Sequence, residues 1–193
     1  MQFELGHVPM PEGYGDGILS LDACKAHLRV VDDSEDGLIA ALRDAAIEYV
    51  ERYCGVKLGA QTGLAWRAER LPSAASAHVD LAVRPVTAIT SISWRAGNGA
   101  QVEGAVADFR FSEAGALRPA VGNSWPSGAA GEVEVIFSAG YEEGASPASL
   151  LSAVKMMLGH LYMNREAVVT SGMAGEVPLG VAALCAPFRP VTI

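Results

Sequence analysis

Gly159-His160-Leu161-Tyr162-Met163-Asn164-Arg165-Glu166-Ala167-Val168-Val169 closes a strongly apolar helix and opens a Gly-rich tail. Upstream, Leu150, Leu151, Val154, Met156, Met157, Leu158, Leu161, Tyr162 and Met163 fall in one helical window. No single stripe absorbs that much apolar surface, so more than one neighbour must cover it. A helix of this kind suits assembly with copies of itself better than catalysis. Ser146 reads as its N-cap and Pro147 as its first helical residue. With an end near Glu166 the helix is ~30 Å long.

Working back along the chain, residues 34–54 place Leu38, Ile39, Leu42, Ala45, Ala46, Tyr49, Val50 and Tyr53 on one amphipathic stripe, stopped by Gly55. Its first-turn acids complement the helix dipole, and Asp44, Glu48 and Arg52 decorate the outer face. A shorter helix over 21–29 starts from Ser20 as N-cap. Residues 1–17 carry Pro9, Pro11, Gly13, Gly15 and Gly17, which predicts an extended arm. The Gly-x-Gly-x-Gly there lacks a preceding strand and the spacing of a dinucleotide fingerprint.

Between the helices the period changes to two. Residues 61–69, 78–83 and 86–94 alternate with β-branched residues, and Phe109, Phe111, Leu117, Val121 and the run 133–137 complete six or seven short strands. Turn formers at Pro72, Pro85, Gly97-Asn98-Gly99, Gly115, Gly122, Pro126 and Gly128 separate them. The pattern predicts a small antiparallel β domain inserted between helical parts, an α+β chain overall. Residues 168–177 read as a hairpin or loop, followed by a short helix over 179–185 closed by Pro187-Phe188-Arg189-Pro190.

Composition narrows the classes of function. Of 193 residues half are apolar and 19% charged, far from the regime of disorder. Cys24, Cys54 and Cys185 are too few and too far apart for a disulfide framework, which predicts a reducing cytoplasm and buried thiols. Neither a signal peptide nor a membrane span is expected. The net charge is −8, and residues 1–57 hold 11 acids against 5 bases. That balance opposes general affinity for nucleic-acid phosphates.

Chemical motifs are scarce. Asp32-Asp33-Ser34-Glu35-Asp36-Gly37 opens like a calcium loop, but Arg43 stands where the bidentate glutamate belongs, so helix capping is preferred and no metal is assigned. Cys24 and His27 are half a zinc site without a second half. His160 is a conceivable general base with no accompanying nucleophile motif. Trp66, Trp94 and Trp125 read as core or interface residues rather than base-stacking platforms. No catalytic residue and no cofactor is assigned.

In order, Leu21-Asp22-Ala23-Cys24-Lys25-Ala26-His27-Leu28-Arg29-Val30, Glu48-Tyr49-Val50-Glu51-Arg52-Tyr53-Cys54-Gly55, Arg84-Pro85-Val86, Arg118-Pro119-Ala120 with Ser124-Trp125-Pro126, and Val135-Ile136-Phe137-Ser138-Ala139-Gly140-Tyr141 form a recognisable series. It continues through His160-x-Tyr162-x-Asn164-Arg165-Glu166-Ala167-Val168, Glu176-Val177-Pro178-Leu179-Gly180-Val181 and Pro187-Phe188-Arg189. The series resembles the head-tail connector, or adaptor, proteins of tailed phages, often labelled possible DNA packaging proteins, in the larger subgroup with a β insertion. The Ala- and Gly-rich composition suits a gene transfer agent particle equally.

The resemblance implies a non-enzymatic ring, commonly twelvefold, below the portal of a DNA-filled capsid, assembled in the host cytoplasm and resident in the virion neck. DNA would pass through it without specific binding, and a next neck or tail protein would dock on it. It divides the chain into an arm (1–17), a helical connector core (18–57 and 145–166, two N-terminal helices plus the long C-terminal one), the β insertion (58–144) and a portal-facing tail (167–193). Met156, Leu161, Tyr162, Asn164, Arg165 and Glu166 are the candidate ring interface; Leu184, Pro187, Phe188 and Arg189 are the candidate portal contacts. The alternatives are a small enzyme using His160 and a DNA-binding packaging factor.

Overall fold

The computed structural model describes residues 2–6, 8–74, 76–164 and 179–189. The chain forms two compact units, one of residues 1–10 and 60–140, the other of residues 11–59 and 141–193.

The first unit is built of antiparallel strands: β1 (Phe3–Leu5), β2 (Gln61–Ala68), β3 (Val79–Asp80), β4 (Val86–Ala96), β5 (Gln101–Gly104), β6 (Phe109–Phe111), β7 (Ala116–Pro119) and β8 (Ala129–Ala139). A five-stranded sheet runs β1-β2-β8-β4-β5, and a three-stranded sheet runs β3-β7-β6. Strand β8 lies at the centre of the larger sheet because its alternation is the cleanest: Val133, Val135, Phe137 and Ala139 all face inward and are buried. Val135 sits opposite both Trp66 on β2 and Ile92 on β4, giving a continuous apolar row across three strands. Val79, Leu81, Leu117 and Trp125 belong to the same core. Trp125 Nε1 donates to the Ala77 carbonyl at 3.2 Å, which satisfies its one polar atom.

All three tryptophans are therefore core residues. Gly104 makes room for one of them, since a Cβ there would lie 2.6 Å from the Trp94 ring. Two strands went unread in the sequence. Residues 1–17, expected as an extended arm, supply β1, which pairs Phe3 with Ala68 and Leu5 with Trp66. Phe3 stacks on Trp66 at 5.9 Å. The Gly97-Asn98-Gly99 turn, read only as a breaker, closes a β4–β5 hairpin in which Ala96 donates to Ala100 O and Gly99 adopts a positive φ of 80°.

The second unit is helical: α1 (Tyr14–Ile18), α2 (Leu21–Leu28), α3 (Asp36–Cys54), α4 (Ala148–Met163) and α5 (Leu179–Cys185). Helix α1 is the second correction to the expected arm. It forms over the glycine-rich stretch because Tyr14 is anchored by its hydroxyl to α3, as described below. Ser20 caps α2 as anticipated, its Oγ accepting from Ala23 N at 3.3 Å. Gly55 ends α3 in the left-handed conformation, φ 65°, with its N–H on Glu51 O.

Other helix ends differ from the sequence reading. None of the acids before α3 makes a side-chain cap bond to it; Asp32 instead accepts from Ser34 N at 3.0 Å in a local turn. Pro147, not Ser146, is the cap of α4, and the Ser146 hydroxyl donates to the Leu58 carbonyl at 2.6 Å. Helix α4 stops at Met163, where Asn164 turns back and its Nδ2 donates to His160 O at 2.8 Å. The expected hairpin at 168–177 lies outside the described residues.

Phe137→Ala, which empties a fully buried ring site in β8, is expected to cost about 3–5 kcal/mol in urea unfolding. A loss below about 1 kcal/mol would show that the sheet core is not packed as described.

Candidate assembly surface

Helix α4 presents two sides. Leu150, Ala153, Val154, Met157 and Leu158, at offsets 0, 3, 4, 7 and 8, form the buried stripe. The remaining apolar residues do not disappear into the unit: Leu151 and Leu161 are half-buried, Met156 is exposed, and Met163 is 81% exposed. Beyond the undescribed residues 165–178 the chain returns at Leu179, 84% exposed. Two large apolar side chains thus stand in solvent on either side of that segment.

The candidate ring residues divide accordingly. Met156 is exposed along α4, yet its methyl end lies on α5, because a Cβ on Gly180 would come 2.3 Å from Met156 Cε. Tyr162 is half-buried and its hydroxyl donates to Glu35 Oε2 at the start of α3. Asn164 is exposed. Arg165 and Glu166 lie outside the described residues.

The short helix expected over 179–185 is present as α5. Val181 and Cys185 are fully buried in the helical unit, and α5 packs on α4. Two well-placed small apolar residues suffice because Gly180 lets the helices approach closely. Leu184 and Phe188 are half-buried, while Pro187 and Arg189 are exposed. The Arg189 guanidinium lies 4.7 Å above the Tyr53 ring, and Tyr53 stacks on Tyr49 at 6.1 Å. Arg189 is therefore already engaged within its own chain.

The polar interior of the helical unit escaped the sequence reading. The predicted α3 stripe is rotated by one residue: Ile39, Ala46, Ile47, Val50 and Cys54 are buried together with Arg43 and Glu51, whereas Leu38 and Ala45 are exposed and Leu42, Tyr49 and Tyr53 half-buried. Glu51, 2% exposed, accepts from the Tyr14 hydroxyl at 2.5 Å, from Leu58 N at 2.8 Å and from Lys57 Nζ at 2.8 Å. Gly59 N in turn donates to the Tyr14 hydroxyl at 3.0 Å. Burial, reinforced by the Glu51 charge, pushes the Tyr14 phenol far above its ordinary range.

Arg43 pairs with Asp16 on α1 and with Asp44 at 2.9 Å. Gly15 sits over this pair, where a Cβ would fall 2.0 Å from Asp44 Oδ1. Asp44, expected on the outer face with Glu48, is thus drawn to Arg43, and only the exposed Arg52–Glu48 pair, at 3.7 Å, decorates the helix. A polar pair eight residues apart on an apolar face was the available signal.

The sequence candidates for chemistry resolve similarly. Lys25 Nζ bonds Asp33 at 2.6 Å and Asp36 at 2.7 Å, so the acidic run holds an internal cation. Those hydrogen bonds, Asp33 first, raise the Lys25 ammonium above its usual range. No three metal-capable side chains gather among the described residues. Cys24 is fully buried; His27 borders α4, with Nε2 3.6 Å from where a Cβ on Gly159 would be. The His160 ring is exposed, with its Nδ1 3.4 Å from Asn164 Nδ2. No helix among the described residues is long and apolar enough to cross a membrane.

Residues 18–112 match the model of the phage gp6-like head-tail connector proteins. Solved structures share the fold along the whole length. A chain from the neck of an empty gene transfer agent (GTA) particle computed with C6 symmetry is 24% identical, with a TM-score of 0.73 over 100% of this chain and 97% of that one. A chain from the virion of the native GTA particle is 24% identical, with a TM-score of 0.71 over 98% and 96%. One from the native GTA neck computed with C12 symmetry is 22% identical, with a TM-score of 0.67 over 100% and 97%. Among curated proteins none matches.

The buried network is expected to dominate local stability. Glu51→Ala, which strands Leu58 N and the Tyr14 hydroxyl, should cost about 3–5 kcal/mol in urea unfolding. Tyr14→Phe should cost about 1–3 kcal/mol. Arg52→Ala, at an exposed pair, should stay within about 0.5 kcal/mol. Equal effects of Glu51→Ala and Arg52→Ala would contradict the assignment.

Proposed function

We propose that this chain is a non-enzymatic neck subunit of a tailed phage or gene transfer agent particle. It closes into a twelvefold ring below the portal, continues the DNA channel and offers a platform to the next neck or tail protein. The observation that carries the reading is the connector-family match over residues 18–112. It is supported by the near-complete fold likeness to chains from GTA necks computed with C6 and C12 symmetry.

The residue chemistry agrees. A closed ring needs two different patches per subunit that meet head to tail. The outer side of α4, with Met156, Leu161, the Tyr162 ring and Asn164, supplies one such patch, and Arg165 with Glu166 extends it. Pro187 and the free side of Leu184 and Phe188 face the portal, with Arg189 held ready over Tyr53. The exposed acids of the helical unit, among them Glu12, Asp22 and Asp32, turn toward the channel, where like charge keeps DNA from adhering. Assembly proceeds in the host cytoplasm, on the portal as template.

Ring closure is tested by Leu161→Asp, a half-buried position at the edge of the α4 patch. We expect an unchanged helical circular dichroism spectrum and at least ~30-fold less incorporation into particles, the weight of an interface hot spot of about 2 kcal/mol. Phe188→Ala is expected to weaken attachment to portal-bearing heads while leaving the subunit folded. Normal incorporation of both variants would reject the interfaces, and absence of the wild-type chain from particle necks would reject the function.

A further inference from the structure

The three cysteines are not equivalent. Cys54 is the last residue of α3 and Cys185 the last of α5, and both are fully buried. Although 131 positions apart in sequence, Cys54 Sγ lies 4.0 Å from the Cys185 carbonyl oxygen. Arg189 on Tyr53 holds the same two chain segments together without help from sulfur. Cys24 is buried elsewhere in the unit, on α2.

We propose that Cys54 and Cys185 are a modification site: in the presence of a small-molecule disulfide they close an intrachain disulfide that fixes α5 to the end of α3. With the Cys54 sulfur against the backbone of Cys185 the two residues are neighbours at the ends of their helices, so closure needs side-chain rotation and a backbone adjustment that brings the sulfurs to bonding distance. With oxidised glutathione as oxidant, one cysteine thiolate attacks a glutathione sulfur and expels a glutathione thiolate, leaving a mixed disulfide. The second cysteine thiolate attacks the protein sulfur of that bond and expels the second glutathione thiolate. Two electrons pass to glutathione, and the two protons lost by the cysteines go to the leaving thiolates.

Burial keeps both thiols protonated, pushing Cys54 up to about 12, so attack waits on transient opening of α5. A reducing compartment therefore leaves the pair as dithiol, and an oxidising one converts it slowly. The bond does not depend on the connector reading. Its consequence does: if Leu184 and Phe188 anchor the portal, the disulfide locks that anchor after the particle leaves the cell.

The test uses the folded full-length protein, incubated for hours with oxidised glutathione, then unfolded and alkylated with iodoacetamide. We expect a mass two hydrogens lower before alkylation, one alkylated cysteine, Cys24, and a peptide linking Cys54 to Cys185. Cys24→Ala should retain the linked product, and Cys185→Ala should lose it. Three alkylated cysteines, glutathione adducts alone, or any bond to Cys24 would overturn the proposal. The wild-type peptide map decides even if Cys185→Ala does not fold. A linked product with no effect on head attachment would leave the disulfide standing and remove only its link to the portal.

Discussion

Helix α4 has more apolar surface than the described residues of its own unit cover. A helix buries about one stripe against one neighbour, and α4 spends its stripe, Leu150 to Leu158, on the interior. Helix α5 takes up part of what remains, through Gly180 beneath Met156 and the buried Val181 and Cys185. Leu161 at half burial and Met163 in solvent are what is left over. In the proposed ring, an adjacent copy of the chain covers that remainder.

The same unit is held together by charge where apolar area is short. Helix α1 is five residues long and contains two glycines, so it has little intrinsic stability. Tyr14 on Glu51 and Asp16 on Arg43 give it two polar anchors eight residues apart along α3. Because Glu51 also takes the Leu58 amide and Lys57, the carboxylate fixes the path of the chain as it leaves α3. Its bonds to the Tyr14 hydroxyl and the Leu58 amide are buried, where an unmade one would be expensive.

Much of this was legible in advance because periodicity is a direct imprint of burial. The strict alternation of 133–137 and the 3.6-residue pattern before Gly55 reported β8 and α3 without ambiguity. What periodicity reads poorly is polar burial. Counting only apolar residues pulled the α3 stripe one position toward Leu38 and Tyr49, because Arg43 and Glu51, which define the true inner face, were scored as surface. The glycines and prolines of residues 1–17 hid β1 and α1 for a related reason. Both elements exist through tertiary partners, Trp66 for Phe3 and Glu51 for Tyr14, which no local propensity contains. At the candidate surface the sequence identified α4 as unfinished but could not see that α5 would cover part of it, since that depends on one glycine facing one methionine.

Electron cryomicroscopy of purified particles, with this chain located in the density, bears most directly on the central claim. The account predicts a closed ring at the neck in which the Leu161 and Met163 side of α4 is covered by the adjacent subunit. A chain found only as a solitary molecule, or a ring in which that side of α4 faces solvent, would contradict it.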